Sequence, residues 1–153
     1  MRTLVFDQAK HCGWALFEEN ELIEYGVEKF GDDKTTYENI LLPAFQFVGK
    51  ALTETRAENA VIESIQYQSN MSTYRKLAML QGVFVYAFLE QDIPYQIIES
   101  SKWKSLCGIK GRKRQEQKEN AILFVKNKFN IDVTSDEADA ICMGWSVVNN
   151  LEG

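Results

Sequence analysis

The sequence predicts an α/β fold in which residues 1–153 form a single domain around a five-stranded mixed sheet flanked by helices. Two observations favour this class. Short apolar runs dominate the first 30 residues, whereas apolar residues recur at spacings of three and four in four later segments, as in amphipathic helices. Two further short apolar runs follow the first two of these helices, and strands linked by helices pair in parallel through right-handed crossovers.

The first three strands are expected to form an antiparallel meander. Residues 4–7 are an apolar run that ends in an acid, residues 13–17 are a second apolar run, and apolar residues alternate along residues 23–27. Residues 18–20 suit a tight connection between the second and third strands. The chain therefore begins with three strands joined by short turns.

The later elements alternate between helix and strand. Residues 37–52 predict a helix that contains Pro43, and residues 60–63 a strand that ends in an acid. A second helix is expected over about residues 71–90 and a fifth strand over residues 94–98. The inward side of the second helix is expected to carry Tyr74, Leu77, Ala78, Phe84 and Phe88.

Two helices complete the predicted fold. Apolar spacing places one over about residues 115–129, and the other opens near Thr134 and continues through Val148. The longest apolar run, residues 83–89, is too short to span a bilayer. The N-terminus resembles a strand rather than a signal peptide, so we expect a cytoplasmic protein without membrane contact.

Cysteine usage agrees with a reducing compartment. The three cysteines are scattered, form no CxxC pair and leave one unpaired in any pairing, which disfavours a disulfide framework. Cys12 has no partner ligands at zinc-binding spacing, so no zinc site is expected. The single histidine, His11, is interpreted as a solvated loop residue outside the site.

Charge is distributed unevenly along the chain. The net charge is −5, with 17 basic and 22 acidic residues, and by itself this number disfavours binding to a polyanion. Residues 102–118, however, hold seven basic residues against one acid, a local charge of +6 that leaves −11 for the remainder. Such a segment, interpreted as a flexible loop and helix start around Trp103, predicts contacts to DNA phosphates. The alternative is an ordinary solvated face. The candidate contacts are Lys102, Lys104, Lys110, Arg112, Lys113, Arg114 and Lys118, with Arg75 and Lys76 as a second tier.

Four acids are positioned to share a site. Asp7 and Glu63 each follow a core-type strand, and the ends of parallel strands meet at one edge of a sheet. Asp136 and Asp139 are three residues apart on the last helix and share a face. Close carboxylates repel one another unless they are protonated or bind cations. Oxygen ligands suit Mg²⁺ or Mn²⁺, and two such ions promote phosphodiester hydrolysis. The alternatives are that Asp136 only stabilises the helix N-terminus and that the strand-end acids are ordinary surface residues.

At these residues the sequence resembles the RuvC family of Holliday junction resolvases, within the ribonuclease-H-like superfamily, and its phage branch in particular. The matching segments are residues 4–7 with 13–15, residues 61–64, and residues 136–140. The resemblance implies a ribonuclease-H-like fold, with Asp7, Glu63, Asp136 and Asp139 as catalytic ligands of two Mg²⁺ or Mn²⁺ ions. It also implies a homodimer that acts on branched DNA, in the bacterial host cytoplasm if the protein is phage-encoded.

The sequence departs from the family pattern in two places. The family usually has Pro-Gly after the first aspartate, where this chain has Gln8 and Ala9. The family often carries an aromatic wedge soon after the second acid, where the nearest candidates are Gln66 and Tyr67. Tyr67 is therefore the candidate for base stacking. The resemblance further implies that a lysine near the start of the following helix aids catalysis, for which the candidates are Lys110, Lys113 and Lys118.

The predicted function is structure-selective cleavage of Holliday junctions, and of other branched DNA, in phage recombination or packaging. Two alternatives remain open. The first is a different ribonuclease-H-like nuclease, which would digest RNA–DNA hybrids or DNA ends. The second is a branched-DNA-binding protein without catalytic activity, in which the acids serve only folding.

Overall fold

The computed structural model describes residues 1–67 and 69–149, which contain five strands and five helices. In chain order these are β1 (Arg2–Asp7), β2 (His11–Glu18), β3 (Glu21–Lys29), α1 (Tyr37–Thr55), β4 (Asn59–Glu63), α2 (Met71–Glu90), β5 (Tyr95–Ile98), α3 (Ser100–Leu106), α4 (Arg114–Phe129) and α5 (Ser135–Val148).

The strands form one mixed sheet in the order β3-β2-β1-β4-β5. β1, β2 and β3 pair as an antiparallel meander, and β1 pairs in parallel with β4, which pairs in parallel with β5. Phe6 of β1 lies opposite Ile62 of β4, so both strands end one residue later at the same edge. The predicted sheet, its meander and its parallel strands are confirmed.

Two apolar layers cover the two faces of the sheet. Because side chains alternate along a strand, Phe6 packs with α1 and α2 on one face, while Val5 packs with α3, α4 and α5 on the other. Phe6 contacts Phe84 of α2 edge to face, with ring centroids 5.4 Å apart. The sheet is therefore buried on both faces, and its strand ends have fixed positions.

Helix α5 lies unusually close to the sheet because of a glycine. A Cβ atom on Gly144 would lie 2.4 Å from Cε2 of Phe17 and 2.8 Å from Cγ2 of Val5. Neither distance is compatible with a side chain, so only glycine permits this separation. The close packing holds α5 against β1 and β2.

Two expectations about helices are wrong. Helix α3 was not predicted, because only Trp103 of its seven residues reaches the core and a single apolar residue gives no periodicity. In α2, Phe84 and Phe88 are buried as predicted, but Ala78 is exposed, since the buried positions shift to Leu80 and Ala87.

Three further observations concern local structure. Helix α1 is continuous and carries Pro43 in its second turn. The three cysteines are free and buried. None of the helices in the described part of the chain combines the length and hydropathy of a membrane-spanning segment.

Candidate active site

The first two acids lie side by side at the carboxyl ends of two parallel strands. Asp7 is the last residue of β1 and Glu63 the last residue of β4. Both are half-buried, because the residues before them belong to the core and the residues after them leave the sheet. The sheet thus presents two carboxylates at one edge, as the strand pattern predicts.

Helix α5 contributes the other two acids from its first turns. Its N-terminus is closed by a capping box, in which Oγ1 of Thr134 accepts from the N–H of Glu137 and Oε1 of Glu137 accepts from the N–H of Thr134. Thr134 and Glu137 therefore do the capping, and Asp136 is not the capping residue. Asp136 and Asp139 are both half-buried.

A second close approach brings α5 to the end of β1. Gly13 of β2 pairs with Asp7, and a Cβ on Gly13 would lie 2.0 Å from the backbone oxygen of Asp136. Backbone therefore packs directly against backbone at this point. The glycine after Cys12 is what allows the start of α5 to approach Asp7.

The acids influence one another electrostatically. Burial is the main cause that raises the pKa of Asp7 well above its ordinary value, and the charges of Glu63, Asp139 and Asp136 raise it further. Burial likewise raises the pKa of Asp139 to about 6, with Glu63 adding to the effect. Burial also raises the pKa of Glu63. Asp7 and Asp139 thus lie close to other negative charges in a partly desolvated site, whereas the pKa of Glu63 rises mainly through burial.

The chemistry of this donor set fits hard divalent cations. Carboxylate oxygens are the ligands that Mg²⁺ and Mn²⁺ prefer, and a bound cation would favour the ionised forms of these half-buried acids. No three histidine, cysteine or acidic side chains within residues 1–67 and 69–149 are already gathered around one point as metal ligands. The four acids are neighbours, and side-chain rotation would have to complete any metal site.

Glu63 is held by three polar side chains that sequence reasoning missed. Gln8 bonds to both backbone groups of Glu63, and Nε2 of Gln81 donates to its carbonyl oxygen at 3.0 Å. Nε1 of Trp103 donates to Oε2 of Glu63 at 2.7 Å. Only Gln8 left a signal in the sequence, because it stands where the resembling family usually has proline. Trp103 lies between two lysines that the sequence predicts to contact phosphates, but its side chain is buried in the core.

Three of the predicted basic residues lie near the acids. The positive charge of Lys104 opposes the rise in the pKa of Glu63 and of Asp139. Arg114 acts in the same way on Asp7 and Glu63, and Lys118 acts on Asp139. Arg114 and Lys118 are four residues apart on α4 and therefore share a face.

The other predicted basic residues are exposed, as Arg114 also is. The basic segment of residues 102–118 is not the flexible loop that the sequence predicts, because its first residues belong to α3 and its last residues belong to α4. Only residues 107–113 lie between these helices, where Gly108 and Gly111 have positive φ angles of 70° and 148°. The exposed residues are Lys102, Lys110, Arg112 and Lys113, together with Arg75 and Lys76 on α2.

The candidate stacking residue lies between the second acid and α2. Tyr67 is 55% exposed and packs edge to face on Tyr74, with ring centroids 5.7 Å apart. The ring is therefore both accessible and supported from one side. His11 is exposed, as the sequence predicts, but it is the first residue of β2 and not a loop residue.

Whole-chain comparisons with known proteins give matches for the structure but none for the sequence. No protein-family model matches the chain, and the search of curated proteins found no significant relative. Thermus thermophilus RuvC in complex with a Holliday junction substrate superposes with a TM-score of 0.81 at 16% identity, covering 100% of this chain and 96% of that one. A second structure of Thermus thermophilus RuvC gives 0.77 at 16% identity, with coverage of 99% and 96%.

The likeness extends to a eukaryotic protein. The yeast mitochondrial Holliday junction resolvase gives a TM-score of 0.62 at 14% identity, covering 97% of this chain and 79% of that one. The resemblance that the sequence motifs predict is thus confirmed at the level of architecture. The chain has the ribonuclease-H-like fold of RuvC.

Proposed function

We propose that this protein is a divalent-metal-dependent, structure-selective DNA endonuclease that resolves four-way junctions. The observation that carries the proposal is the meeting of four carboxylates from three distant chain segments, next to three cationic side chains. The chain that carries this arrangement has the fold of RuvC, and a structure of Thermus thermophilus RuvC has been solved in complex with a Holliday junction substrate. A purely structural role would not explain why four half-buried acids meet at one place, where burial and the neighbouring acids raise the pKa of Asp7 and of Asp139.

The four acids have a common role in this proposal. Asp7, Glu63, Asp136 and Asp139 would hold Mg²⁺ or Mn²⁺, two ions for each site. When bound, these cations supply Lewis acidity toward the phosphodiester and activation of water. The carboxylates would be ionised in that state, and their positions on β1, β4 and α5 would hold the cations beside the phosphodiester.

The basic residues act on the DNA backbone. Lys104, Arg114 and Lys118 lie close enough to influence the acids, so we assign them to the phosphate that is cut and its neighbours. Nζ of Lys104 is already held by Oε1 of Gln117 at 3.0 Å, which limits the freedom of this side chain. The exposed basic residues extend the same surface and would contact flanking phosphates. Tyr67 would stack on a base beside the branch point.

The test is cleavage of labelled four-way junction, fork, linear duplex and RNA–DNA hybrid in EDTA, Mg²⁺ or Mn²⁺. We expect paired nicks on the junction, dependence on the metal, and loss of at least about a thousandfold in rate for Asp7→Asn and Glu63→Gln. Asp33→Asn is the matched control, because Asp33 is an exposed acid outside the site. Wild-type rates for both site variants would overturn the proposal.

The alternatives give different products in the same assay. A hybrid-specific ribonuclease or an exonuclease would degrade the hybrid or the linear duplex faster than the junction. A binding protein without activity would shift the junction on a native gel in Mg²⁺ and leave its strands intact on a denaturing gel. Either pattern would overturn the proposal that the protein cleaves junctions.

We also propose a homodimer, which the symmetry of the substrate and an exposed stripe on α2 support. Met79, Gly82, Tyr86 and Leu89 recur at helical spacing on the surface of that helix, and Tyr86 is 59% exposed. Phe45 of α1 packs against Tyr86 at a ring-centroid distance of 5.8 Å and extends the apolar surface. We assign this surface to a second copy of the chain, since two sites are needed to cut a twofold-symmetric junction.

Light scattering coupled to size exclusion tests this assembly. We expect a dimer that Tyr86→Glu converts to a monomer, with single nicks in place of paired ones. Leu123→Glu is the control, because Leu123 is an exposed apolar residue on the opposite side of the sheet. A monomeric wild-type protein that still makes paired nicks would exclude the dimer.

A further inference from the structure

Trp103 links the apolar core to the carboxylate of Glu63. Its side chain is 1% exposed, and its Nε1 lies 2.7 Å from Oε2 of Glu63. The residue belongs to α3 and packs in the core beneath the sheet together with Val61 and Ile98. Because the ring is enclosed by core side chains, the position of its N–H group is fixed relative to the end of β4.

The indole N–H of Trp103 is a suitable hydrogen-bond donor for orienting a carboxylate that binds a cation. The indole N–H can donate but cannot accept, so it requires an acceptor oxygen on Glu63. An ionised carboxylate has about four acceptor directions, and Trp103 uses one of them. A lysine or arginine at this point would orient the carboxylate too, but its charge would compete with a cation. A neutral donor orients the carboxylate and leaves its negative charge available.

The backbone of Glu63 is fixed separately from its side chain. Gln8 bonds to the N–H and carbonyl groups of Glu63, and Gln81 donates to the same carbonyl. These contacts hold the end of β4 but leave the side chain free to rotate. Trp103 is the residue that donates to the carboxylate itself, so the two sets of bonds have distinct effects.

We propose that Trp103 is a positioning residue that presets the carboxylate of Glu63 for cation binding. The inference rests on the proposed function, in which Glu63 is a metal ligand. Without the indole N–H, the carboxylate samples other rotamers and must be ordered when the cation binds. Loss of such outer hydrogen bonds to metal ligands commonly costs about 10-fold to 100-fold in affinity or activity.

The variant Trp103→Phe removes the N–H group and keeps an aromatic ring in the core. Calorimetric titration with Mn²⁺ alone should show affinity weakened by about tenfold or more, and junction cleavage should lose kcat with KM unchanged. Trp145→Phe is the matched control, because Trp145 is a half-buried tryptophan on α5 that packs on Phe124. Equal Mn²⁺ affinity in Trp103→Phe and the wild type would overturn the proposal.

A second measurement does not depend on removing Trp103. In the double variant Trp14→Phe/Trp145→Phe, Trp103 is the one remaining tryptophan of the sequence. Titration with Mg²⁺ should then change its fluorescence in a saturable way, because the cation redistributes the charge of its hydrogen-bond partner. The change should disappear when Glu63→Gln is added. Fluorescence that stays constant while Mg²⁺ binds would contradict the proposal.

The variants at Glu63 and Trp103 separate the positioning role of Trp103 from the nuclease function itself. If Glu63→Gln abolishes cleavage but Trp103→Phe leaves Mn²⁺ affinity and kcat unchanged, Trp103 is a core residue only and the nuclease assignment stands. If Glu63→Gln leaves both cleavage and Mn²⁺ affinity unchanged, the nuclease assignment fails and the inference fails with it.

Discussion

The side chain of Gln8 replaces a backbone partner at the end of β4. Its Oε1 accepts from the N–H of Glu63 at 3.2 Å, and its Nε2 donates to the carbonyl of the same residue. Gln8 follows directly after Asp7 and is 7% exposed. One amide group thus joins the two strands beyond their last backbone pair and fixes the relative position of the two strand-end acids.

Gln8→Ala should lower both stability and activity. The substitution leaves the N–H of Glu63 without its partner at a part-buried position, which costs about 1–3 kcal/mol in the free energy of unfolding. We expect cleavage to fall by about tenfold or more, because the ends of β1 and β4 move independently. Urea denaturation and single-turnover junction cleavage measure the two effects.

Asn59→Ala provides the control for this prediction. Nδ2 of Asn59 donates to Oγ1 of Thr3 at 2.9 Å and so joins the same two strands at their opposite ends. This variant should lose stability while keeping the wild-type cleavage rate at a temperature where it is folded. If both variants lose activity in proportion to their stability, Gln8 has no separate effect on the site.

Gly13→Ala should displace the start of α5. The new methyl group would lie 2.0 Å from the backbone oxygen of Asp136, and backbone cannot rotate away as a side chain can. We expect destabilisation of about 1–3 kcal/mol and loss of cleavage beyond what that destabilisation explains. Thermal unfolding and the cleavage assay at a temperature where the variant is folded separate these effects.

Gly49→Ala is the corresponding control on α1. Its added methyl group would meet Nε2 of Gln91 at 3.7 Å, which is an ordinary contact. Because alanine favours a helix interior over glycine by about 1 kcal/mol, this variant should be as stable as the wild type or more so. Full activity of Gly13→Ala would mean that α5 adjusts without moving its acids.

The strand ends were predictable from the sequence because each rests on a local pattern. Leu4, Val5 and Phe6 form a core run that must end at the polar Asp7, and the same holds for Val61 and Ile62 before Glu63. Periodicity similarly located α4 and α5. Parallel pairing of the helix-linked strands and the meeting of their acids then follow from general rules for parallel strands.

The contacts around Glu63 were not predictable in the same way. Trp103 stands between two lysines, so its neighbours in sequence are charged while its neighbours in space are apolar. Gln81 lies in the apolar part of α2 and gives no local signal of a bond to the end of β4. Such contacts depend on the distances between elements, which sequence spacing does not contain.

The metal-free protein should lose stability as the pH rises from 5 to 7.5. Asp139 has a pKa of about 6 in the folded chain, above the ordinary value of 3.8, so the folded state binds more protons between these values. Its contribution is therefore most favourable at low pH and is lost as the pH rises through about 6. The raised pKa values of Asp7 and Glu63 act in the same direction.

Urea denaturation in EDTA across this pH range measures the effect. Asp139→Asn should reduce the pH dependence and raise stability at pH 7.5, because the amide does not ionise. Adding Mg²⁺ at pH 7.5 should stabilise the wild type more than this variant. Metal-free stability that increases from pH 5 to pH 7.5 would show that the acids are not crowded in the folded protein.

Arg114 and Lys113 are adjacent, but they should give different phenotypes. Both side chains are exposed, but Arg114 opposes the rise in the pKa of Asp7 and Glu63 and therefore lies near these acids, whereas Lys113 precedes α4. Arg114→Ala should lower kcat on the junction by about tenfold or more, because it removes a charge beside the reacting phosphate. Lys113→Ala should leave kcat unchanged and weaken binding.

Salt dependence separates the two residues further. A lysine that contacts one flanking phosphate contributes about one unit to the slope of log binding constant against log salt concentration, and Lys113→Ala should lose that unit. Arg114→Ala should keep its reduced kcat at saturating junction concentration in any salt. If both variants change only the binding constant, the charge of Arg114 acts on DNA binding and not on the chemical step. Of the three cations near the acids, Lys104 and Lys118 then remain as candidates for a role in cleavage.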